Sequence, residues 1–119
     1  MACLKTHAHF TRRLGVAHPK IEPLKKVLTI DPNDDVAWFG LGKAYIEDAN
    51  YGEAISALQS CIRVKPSYSA AYLALAQALQ KGGRIDECRQ ICQQGVEVST
   101  KNGDAMVTKN LEQLQQNLG

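Results

Sequence analysis

A self-similarity with a period of 34 residues constrains this chain more than any other feature of its sequence. Apolar and small side chains within residues 35–66 are matched by side chains of similar type one period later. The matched pairs are Trp38 and Tyr72, Leu41 and Leu75, Gly42 and Ala76, Tyr45 and Leu79, Ala54 and Cys88, Leu58 and Cys92, and Cys61 and Gly95. Periods of about 20 to 50 residues indicate repeat architectures, in which each unit packs against its neighbours.

Apolar residues recur at helical spacing in two stretches of this unit. The two stripes are Trp38, Leu41, Ala44 and Tyr45, and then Ala54, Ile55, Leu58, Cys61 and Ile62. Turn-forming residues at 48–52 separate the stripes, and Pro66 cannot continue the second helix. Asp34 or Asp35 can cap the first helix, and the small Gly42 would let two antiparallel helices approach closely. The unit therefore predicts a helix-turn-helix hairpin.

This pattern resembles the tetratricopeptide repeat, a helix-turn-helix unit of 34 residues. The resemblance is carried by Trp38, Leu41, Gly42, Tyr45, Ala54 and Pro66 at the family's offsets. Leu58 stands where the family usually has an aromatic residue, and both residue types fill a core. One hairpin cannot bury its apolar face alone, so neighbouring units must stack on it. The resemblance implies a binding scaffold.

We predict an all-α fold, a tetratricopeptide-like solenoid of helical hairpins with a C-terminal capping helix. Its expected segments are a basic N-terminal segment (1–18), disordered or a degenerate first helix; the second helix of a partial repeat (19–34); two full units (35–68 and 69–102); and a capping helix (103–119). Pro32 lies one period before Pro66, which places the partial repeat. The last helix is apolar on one face and polar on the other, as a cap is; the first helix of a truncated further unit is the alternative.

Charge is distributed unevenly along the chain. Residues 1–30 contain six basic side chains and one acidic side chain, whereas the whole chain has a net charge of only +2. The basic segment could steer the protein to an acidic partner, belong to a transit peptide, or be a solvated terminus. The net charge is too small to argue for nucleic acid, and no apolar run approaches the roughly 20 residues of a membrane-spanning helix. We therefore expect a cytoplasmic protein without nucleic-acid or membrane partners.

The cysteines and histidines have both a chemical and a structural interpretation. Cys88 and Cys92 share one helical face, which could build a redox pair or a metal site. One period earlier the same positions hold Ala54 and Leu58, so packing explains both thiols. His7, His9 and His18 could contribute to a metal site only with further ligands, and surface histidines are the simpler interpretation. We predict reduced cysteines, no metal and no cofactor.

Motifs for catalysis are missing from this sequence. It contains neither a phosphate-binding loop of the Gly-x-x-x-x-Gly-Lys form nor a Gly-x-Ser-x-Gly elbow. We therefore predict that the chain is not an enzyme but an adaptor or scaffold that binds a protein or peptide partner. Three alternatives stay open: an accessory or regulatory domain of a larger enzyme or complex, a self-associating module that forms a homo-oligomer, and a metal or redox sensor that uses the His and Cys residues.

The resemblance also predicts where a partner would bind. In tetratricopeptide proteins the first helices of successive units line a concave groove. The side chains expected on that face, off the core stripe, are Phe39, Lys43, Ile46, Glu47, Leu73, Gln77 and Lys81. Members that bind chaperone tails clamp a terminal carboxylate with Lys, Asn and Arg side chains, and this chain lacks the full set. The groove is therefore expected to prefer an apolar or amphipathic segment.

Overall fold

A computed structural model describes residues 18–118 of the chain. All the regular structure in this range is helical, and no strand occurs in it. The helices are α1 (Ile21–Ile30), α2 (Asp35–Glu47), α3 (Tyr51–Val64), α4 (Ser69–Lys81), α5 (Ile85–Asn102) and α6 (Ala105–Asn117). The predicted all-α solenoid of helical hairpins is confirmed.

The helices stack as hairpins with an inner and an outer face. Helix α2 pairs with α3, and α4 pairs with α5. The first helices of the hairpins also touch one another, because α4 contacts both α2 and α6. Among the described helices, the backbones of α1, α3 and α5 do not approach one another closely. The stack therefore curves, with α2, α4 and α6 on its inner, concave face and α1, α3 and α5 on its outer face.

Local signals in the first full unit set its helix ends and its helix spacing. The Asp34 side chain accepts a hydrogen bond from the Ala37 N–H (3.0 Å), so Asp34 is the cap of α2. Helix α3 ends at Val64, two residues before Pro66. Gly42 is buried, and a Cβ atom on it would lie 2.5 Å from Cγ of Leu58. This contact confirms that a small residue is needed where α2 meets α3.

The second unit ends differently from the first. Helix α5 has 18 residues, whereas α3 has 14. The position of Pro66 is taken in this unit by Thr100, so nothing stops the helix there. Helix α5 continues until Gly103, whose left-handed backbone (φ 72°) closes it through hydrogen bonds from the Gly103 N–H. Glycine favours this conformation because it has no Cβ.

Helix α6 occupies the position of another first helix. The residue before α6 is Asp104, which lies 36 residues after Tyr68, the residue before α4. Tyr68 itself lies only 34 residues after Asp34, the residue before α2, so the interval is two residues longer at α6. Leu111 is fully buried, as Leu75 is in α4. The opposite face of α6 is exposed and carries Met106, Lys109, Glu112, Gln113, Gln116 and Asn117. Its role as a cap, rather than as part of a further unit, stays a prediction.

The N-terminal predictions lie mostly outside the described residues. Those for residues 1–17, including His7 and His9, cannot be compared with the structure. His18 is described, and its side chain is 12% exposed. Its Nε2 lies 2.5 Å from Oε1 of Glu47, and its backbone N–H donates to Oδ2 of Asp48 at 2.8 Å. His18 is therefore not the solvated surface histidine that the sequence suggested, because it joins the start of α1 to the end of α2.

Three of the cysteines lie in the core. Cys61, Cys88 and Cys92 are free thiols without solvent exposure, which confirms the packing interpretation of the last two. Burial raises the pKa of Cys61 to about 11 and that of Cys92 to about 12, so both thiols stay protonated at neutral pH. Within residues 18–118, no group of three or more His, Cys, Asp or Glu side chains could hold a metal ion. No helix in that range is long and apolar enough to cross a membrane.

Candidate partner-binding surface

An aromatic pair lies where α2 and α4 meet on the inner face. The ring of Phe39, on α2, stacks on the ring of Tyr68, which immediately precedes α4. The ring centroids are 5.0 Å apart and the planes make an angle of 27°. Both side chains are half-buried, and Phe39 also packs against the core. The pair forms a rigid apolar platform with one side open to solvent.

Two lysines flank this aromatic pair. The ammonium group of Lys43 lies 6.0 Å from the centroid of Phe39, and that of Lys65 lies 5.6 Å from the centroid of Tyr68. Both distances are within the range of cation–π attraction, about 6 Å. Both lysines are exposed, and Lys65 also lies 3.9 Å from a carboxylate oxygen of Asp35. Burial raises the pKa of Tyr68, so the positive charge beside the platform faces a neutral phenol.

A cleft between α4 and α6 lies on the same inner face. It has a volume of about 310 Å³ and is lined by Leu73, Gln77, Asn110, Gln113, Leu114 and Asn117. Leu73 is half-buried against the core, so it forms part of the floor. The side-chain amides provide donors and acceptors that can bind a peptide backbone. The inner face therefore joins an apolar floor to polar walls.

Comparison with known proteins identifies the repeat. Two family models described as tetratricopeptide repeat match residues 46–106 and residues 24–56. The TPR repeat-containing protein PA0015 of Pseudomonas aeruginosa is 33% identical over 91 residues, which cover 76% of this chain and 87% of that protein. The chain belongs to the tetratricopeptide repeat family. The resemblance seen in the sequence is thereby confirmed.

Solved tetratricopeptide structures have the same fold. The TPR2B domain of yeast Sti1, in a complex with an Hsp70 peptide, superposes with a TM-score of 0.78 at 14% identity. That match covers 82% of this chain and 78% of the Sti1 chain. The first TPR of Spaghetti (RPAP3), bound to the HSP90 peptide SRMEEVD, has a TM-score of 0.71 at 19% identity and covers 94% of this chain and 90% of that one. At these identities the likeness concerns the fold alone.

The other residues predicted for the groove of this tetratricopeptide repeat have different environments. Ile46 is half-buried and packs against the core. Glu47 is exposed, but its carboxylate lies 2.5 Å from the His18 ring, so it is already engaged within the chain. Lys81 is the last residue of α4 and is exposed. The tightest grouping is formed by Phe39 and Lys43 on α2, with Leu73 and Gln77 lining the neighbouring cleft.

Several residues of this surface are not predicted by the sequence pattern. Tyr68 and Lys65 belong to the connection between α3 and α4, where the period indicates a cap and not a binding residue. They line a further cleft of about 260 Å³ together with Ser67, Ser69, Ala70, Asn102 and Asp104. The Asn102 amide donates to the Ser67 carbonyl at 2.7 Å, which ties the end of α5 to the loop before α4. The sequence offered only one signal for Tyr68, an aromatic side chain three residues after Lys65.

Proposed function

We propose that this tetratricopeptide repeat chain is a protein-interaction module whose inner face binds an apolar or amphipathic peptide segment. The observation that carries the proposal is the stacked pair of Phe39 and Tyr68, flanked by Lys43 and Lys65. A half-open aromatic pair contributes a large contact area and is already ordered before binding. Apolar anchors of this kind contribute strongly to affinity when a partner covers them.

The charges around the platform favour an amphipathic partner that also carries acidic groups. Lys43 is exposed and has no acidic partner among the described residues, and Lys65 has only a longer contact with Asp35. A partner carboxylate beside an apolar side chain would pair with either ammonium group while the apolar side chain covers Phe39. The amides of Gln77 and Asn110 would bind the backbone of the segment in the adjoining cleft.

The solved relatives support this proposal through their fold. The Sti1 domain and the first TPR of RPAP3 were each solved with a chaperone peptide, so a stack of this shape can hold a peptide. The chain differs from a carboxylate clamp, because Phe39, Leu73 and Gln77 are not basic. We infer a different partner chemistry, in which apolar contact provides affinity and the two lysines select for acidic neighbours.

The wider role follows from the same surface. We propose an adaptor or scaffold in the cytoplasm, without a catalytic step of its own. Membership of a larger enzyme complex and self-association stay predictions. At the N-terminal end of the stack, Val36 is 64% exposed and Val27 is 39% exposed. These exposed apolar side chains favour self-association over membership of an enzyme complex.

The test starts with recovery of partners from the native lysate by crosslinking to the full chain. The bound segment is then synthesised as a peptide and its affinity measured for two variants. Phe39→Ala combined with Leu73→Ala should weaken binding by tenfold or more, since buried apolar anchors each contribute more than about 1 kcal/mol. Lys43→Glu should weaken binding of an acidic peptide more strongly at low salt than at high salt.

Matched controls separate binding from folding. Phe39 and Leu73 pack against the core, so their loss also lowers stability. Ile62→Ala with Ile91→Ala removes half-buried apolar groups from the outer helices and should leave affinity unchanged. Lys26→Glu makes the charge change of Lys43→Glu on an exposed position of α1. Equal affinities of the inner-face and control variants, with intact melting curves, would contradict the proposal.

A further inference from the structure

A furrow on the outer face is separate from the proposed peptide surface. Helices α1 and α3 diverge here and leave the side of α2 uncovered between them. The furrow encloses about 500 Å³ and is lined by Lys25, Leu28, Thr29, Pro32, Trp38, Leu41, Tyr45, Glu53 and Ala57. Ligand sites in proteins are typically clefts of about 300 to 1,000 Å³ with mostly apolar walls and a few polar groups. The furrow agrees with that description.

The repeat period explains why the furrow is deep. Ala57 corresponds to Ile91 in the next unit, and Leu28 corresponds to Ile62. Ile62, on α3, and Ile91, on α5, are both partly buried and pack against the core. Replacing the isoleucine by Ala57 removes most of a branched side chain from the wall formed by α3. The space is therefore a property of this unit and not of the repeat in general.

The floor of the furrow is fixed before any ligand binds. The Trp38 indole N–H donates to the Pro32 carbonyl at 2.8 Å, which holds the ring in place. Leu41 and Tyr45 are buried beneath it. From Trp38 to Tyr45 the floor spans two helical turns, or about 10 Å at 1.5 Å per residue. This shape suits two turns of a helix, whose apolar side chains on one face recur at this spacing.

The charges at the mouth favour a cation. Lys25 lies on one side, 3.8 Å from the Glu22 carboxylate, and Glu53 lies on the other side. Interaction with the Tyr45 side chain, and then the Glu22 carboxylate, raises the pKa of Lys25, with a smaller effect from Glu53. One ammonium group thus faces two carboxylates. Glu53 is exposed and has no hydrogen bond or ion pair with the described residues, so its charge is available to a ligand.

We propose that the furrow binds a basic amphipathic helical segment of a partner protein. Its apolar side chains enter between α1 and α3 onto Trp38 and Leu41, and a Lys or Arg side chain at the mouth pairs with Glu53. The electron-rich face of Trp38 adds attraction for these cations. The inner face, with Lys43 and Lys65, has the opposite preference. The furrow does not depend on the proposed inner-face function, so either proposal can fail without the other.

Trp38 makes the test direct, because it is the single tryptophan of the chain. The probe is a synthetic helical peptide with leucines on one face and lysines on the other, free of Trp and Tyr. A matched peptide carries glutamates in place of the lysines. Adding the lysine peptide to the full chain should shift Trp38 emission to shorter wavelength in a saturable way. The glutamate peptide should leave the emission unchanged.

Two variants locate the binding in the furrow. Ala57→Ile supplies the side chain found in the next unit and should abolish the emission shift while the helical circular dichroism is retained. Ser56→Ile adds the same side chain at an exposed neighbouring position and should bind as the wild type does. Glu53→Gln should weaken binding about two- to fivefold, as expected for a solvent-exposed ion pair. Glu87→Gln removes the equivalent carboxylate of the next unit and should have no effect on binding.

Several outcomes would overturn this assignment. An unchanged Trp38 signal at high concentrations of the lysine peptide would show that the furrow does not take such a segment. Equal binding by Ala57→Ile and wild type would place the peptide elsewhere. A change of emission on dilution, without peptide, would assign the furrow to a second copy of the chain. A shift to longer wavelength when Lys5, Arg12 and Arg13 are all replaced by Gln in the full chain would assign it to the chain's own basic segment.

Discussion

The two full units, 35–68 and 69–102, make equivalent contacts with different residues. In the first unit the Trp38 indole N–H donates to the Pro32 carbonyl, and in the second the Tyr72 hydroxyl donates to the Pro66 carbonyl. Both distances are 2.8 Å. The repeat therefore requires a flat ring with a donor at its far end and tolerates either ring. Contact geometry, and not residue identity, is what the period preserves.

Differences between the units concentrate where helices touch and where they end. In the first unit Gly42 faces the large Leu58, whereas Ala76 and Cys92 hold the same two positions in the second. A larger residue on one helix is thus matched by a smaller residue on the other. The helix ends show a comparable exchange, since Pro66 stops α3 and Gly103 stops α5.

The largest effect is expected from giving the second unit the proline of the first. Thr100→Pro should lower the free energy of unfolding by about 3 kcal/mol or more, because proline loses a helical hydrogen bond and clashes with the preceding turn of α5. Urea denaturation measures the change. Pro66→Thr is the matched control and should cost much less, since Pro66 lies beyond α3. Similar midpoints for Thr100→Pro and wild type would mean that the last turn of α5 contributes little to the fold.

A somewhat smaller effect is expected at the contact between α2 and α3. Gly42→Ala should cost about 1–3 kcal/mol, because the added Cβ meets Leu58 at 2.5 Å in a packed core. Leu58→Cys in the same chain reproduces the pair of the second unit and should recover part of that loss. A double-mutant cycle on the unfolding free energies gives the coupling between the two positions. If the free-energy changes of the two single variants simply add up in the double variant, a smaller residue at position 58 does not compensate for a larger residue at position 42.

High pH should distinguish the units through their thiols. Burial raises the pKa of Cys61, Cys88 and Cys92 above the ordinary value of 9.0. Above about pH 9 the unfolded chain loses these protons and the folded chain keeps them, so stability should fall as pH rises, by on the order of 1 kcal/mol each for Cys61 and Cys92 at about pH 10. Below about pH 8 this contribution should vanish.

Cysteine variants make that comparison quantitative. Replacing Cys88 and Cys92 together by Ala should reduce the alkaline slope of the unfolding free energy more than Cys61→Ala does. The pKa of Tyr68 and that of Tyr72 are also raised by burial, so some slope should persist in every variant. Urea midpoints measured at neutral and alkaline pH provide the slopes. Identical slopes in all variants would indicate that the thiols ionise equally in both states.

The smallest effect is expected at the turn inside each hairpin. Ala49 has a left-handed backbone (φ 58°), and Gly83 takes the equivalent position with φ 80°. Ala49→Gly should stabilise the chain by about 0.5–1 kcal/mol, since its Cβ is strained there. Gly83→Ala should destabilise it by a similar amount. Thermal melts of both variants test whether the two stability changes are similar in size and opposite in sign. A lower melting temperature for Ala49→Gly would mean that alanine is the better residue at its turn.

Helices and their core could be predicted because the signals are local and repeated. Leu58 and Leu75 each belong to a stripe of apolar residues at helical spacing, and both are fully buried. Pro66 predicts the end of a helix, and α3 ends two residues before it, at Val64. Contacts between distant positions could not be predicted in this way. His18 meets Glu47 across 29 residues, and no periodic pattern relates the two.

The candidate surfaces were predicted only in part, for a related reason. Phe39 and Leu73 were expected on the inner face from their equivalent positions on first helices. The stacking of Phe39 on Tyr68 depends on a loop whose conformation the period does not describe. The outer furrow was missed because Ala57 reads as an ordinary small core residue, and its importance depends on comparison with Ile91.

The shift of two residues before α6 matters for anyone who lengthens this protein by design. Modular grafting assumes that every unit can be spliced at a constant interval, and here that interval holds from Asp34 to Tyr68 but becomes 36 residues from Tyr68 to Asp104. A consensus module joined after Asn102 at the shorter interval would rotate its first helix and turn polar side chains toward the position of Leu111. A splice junction at Asp104 keeps the correct rotational phase, so new modules should be counted from that residue.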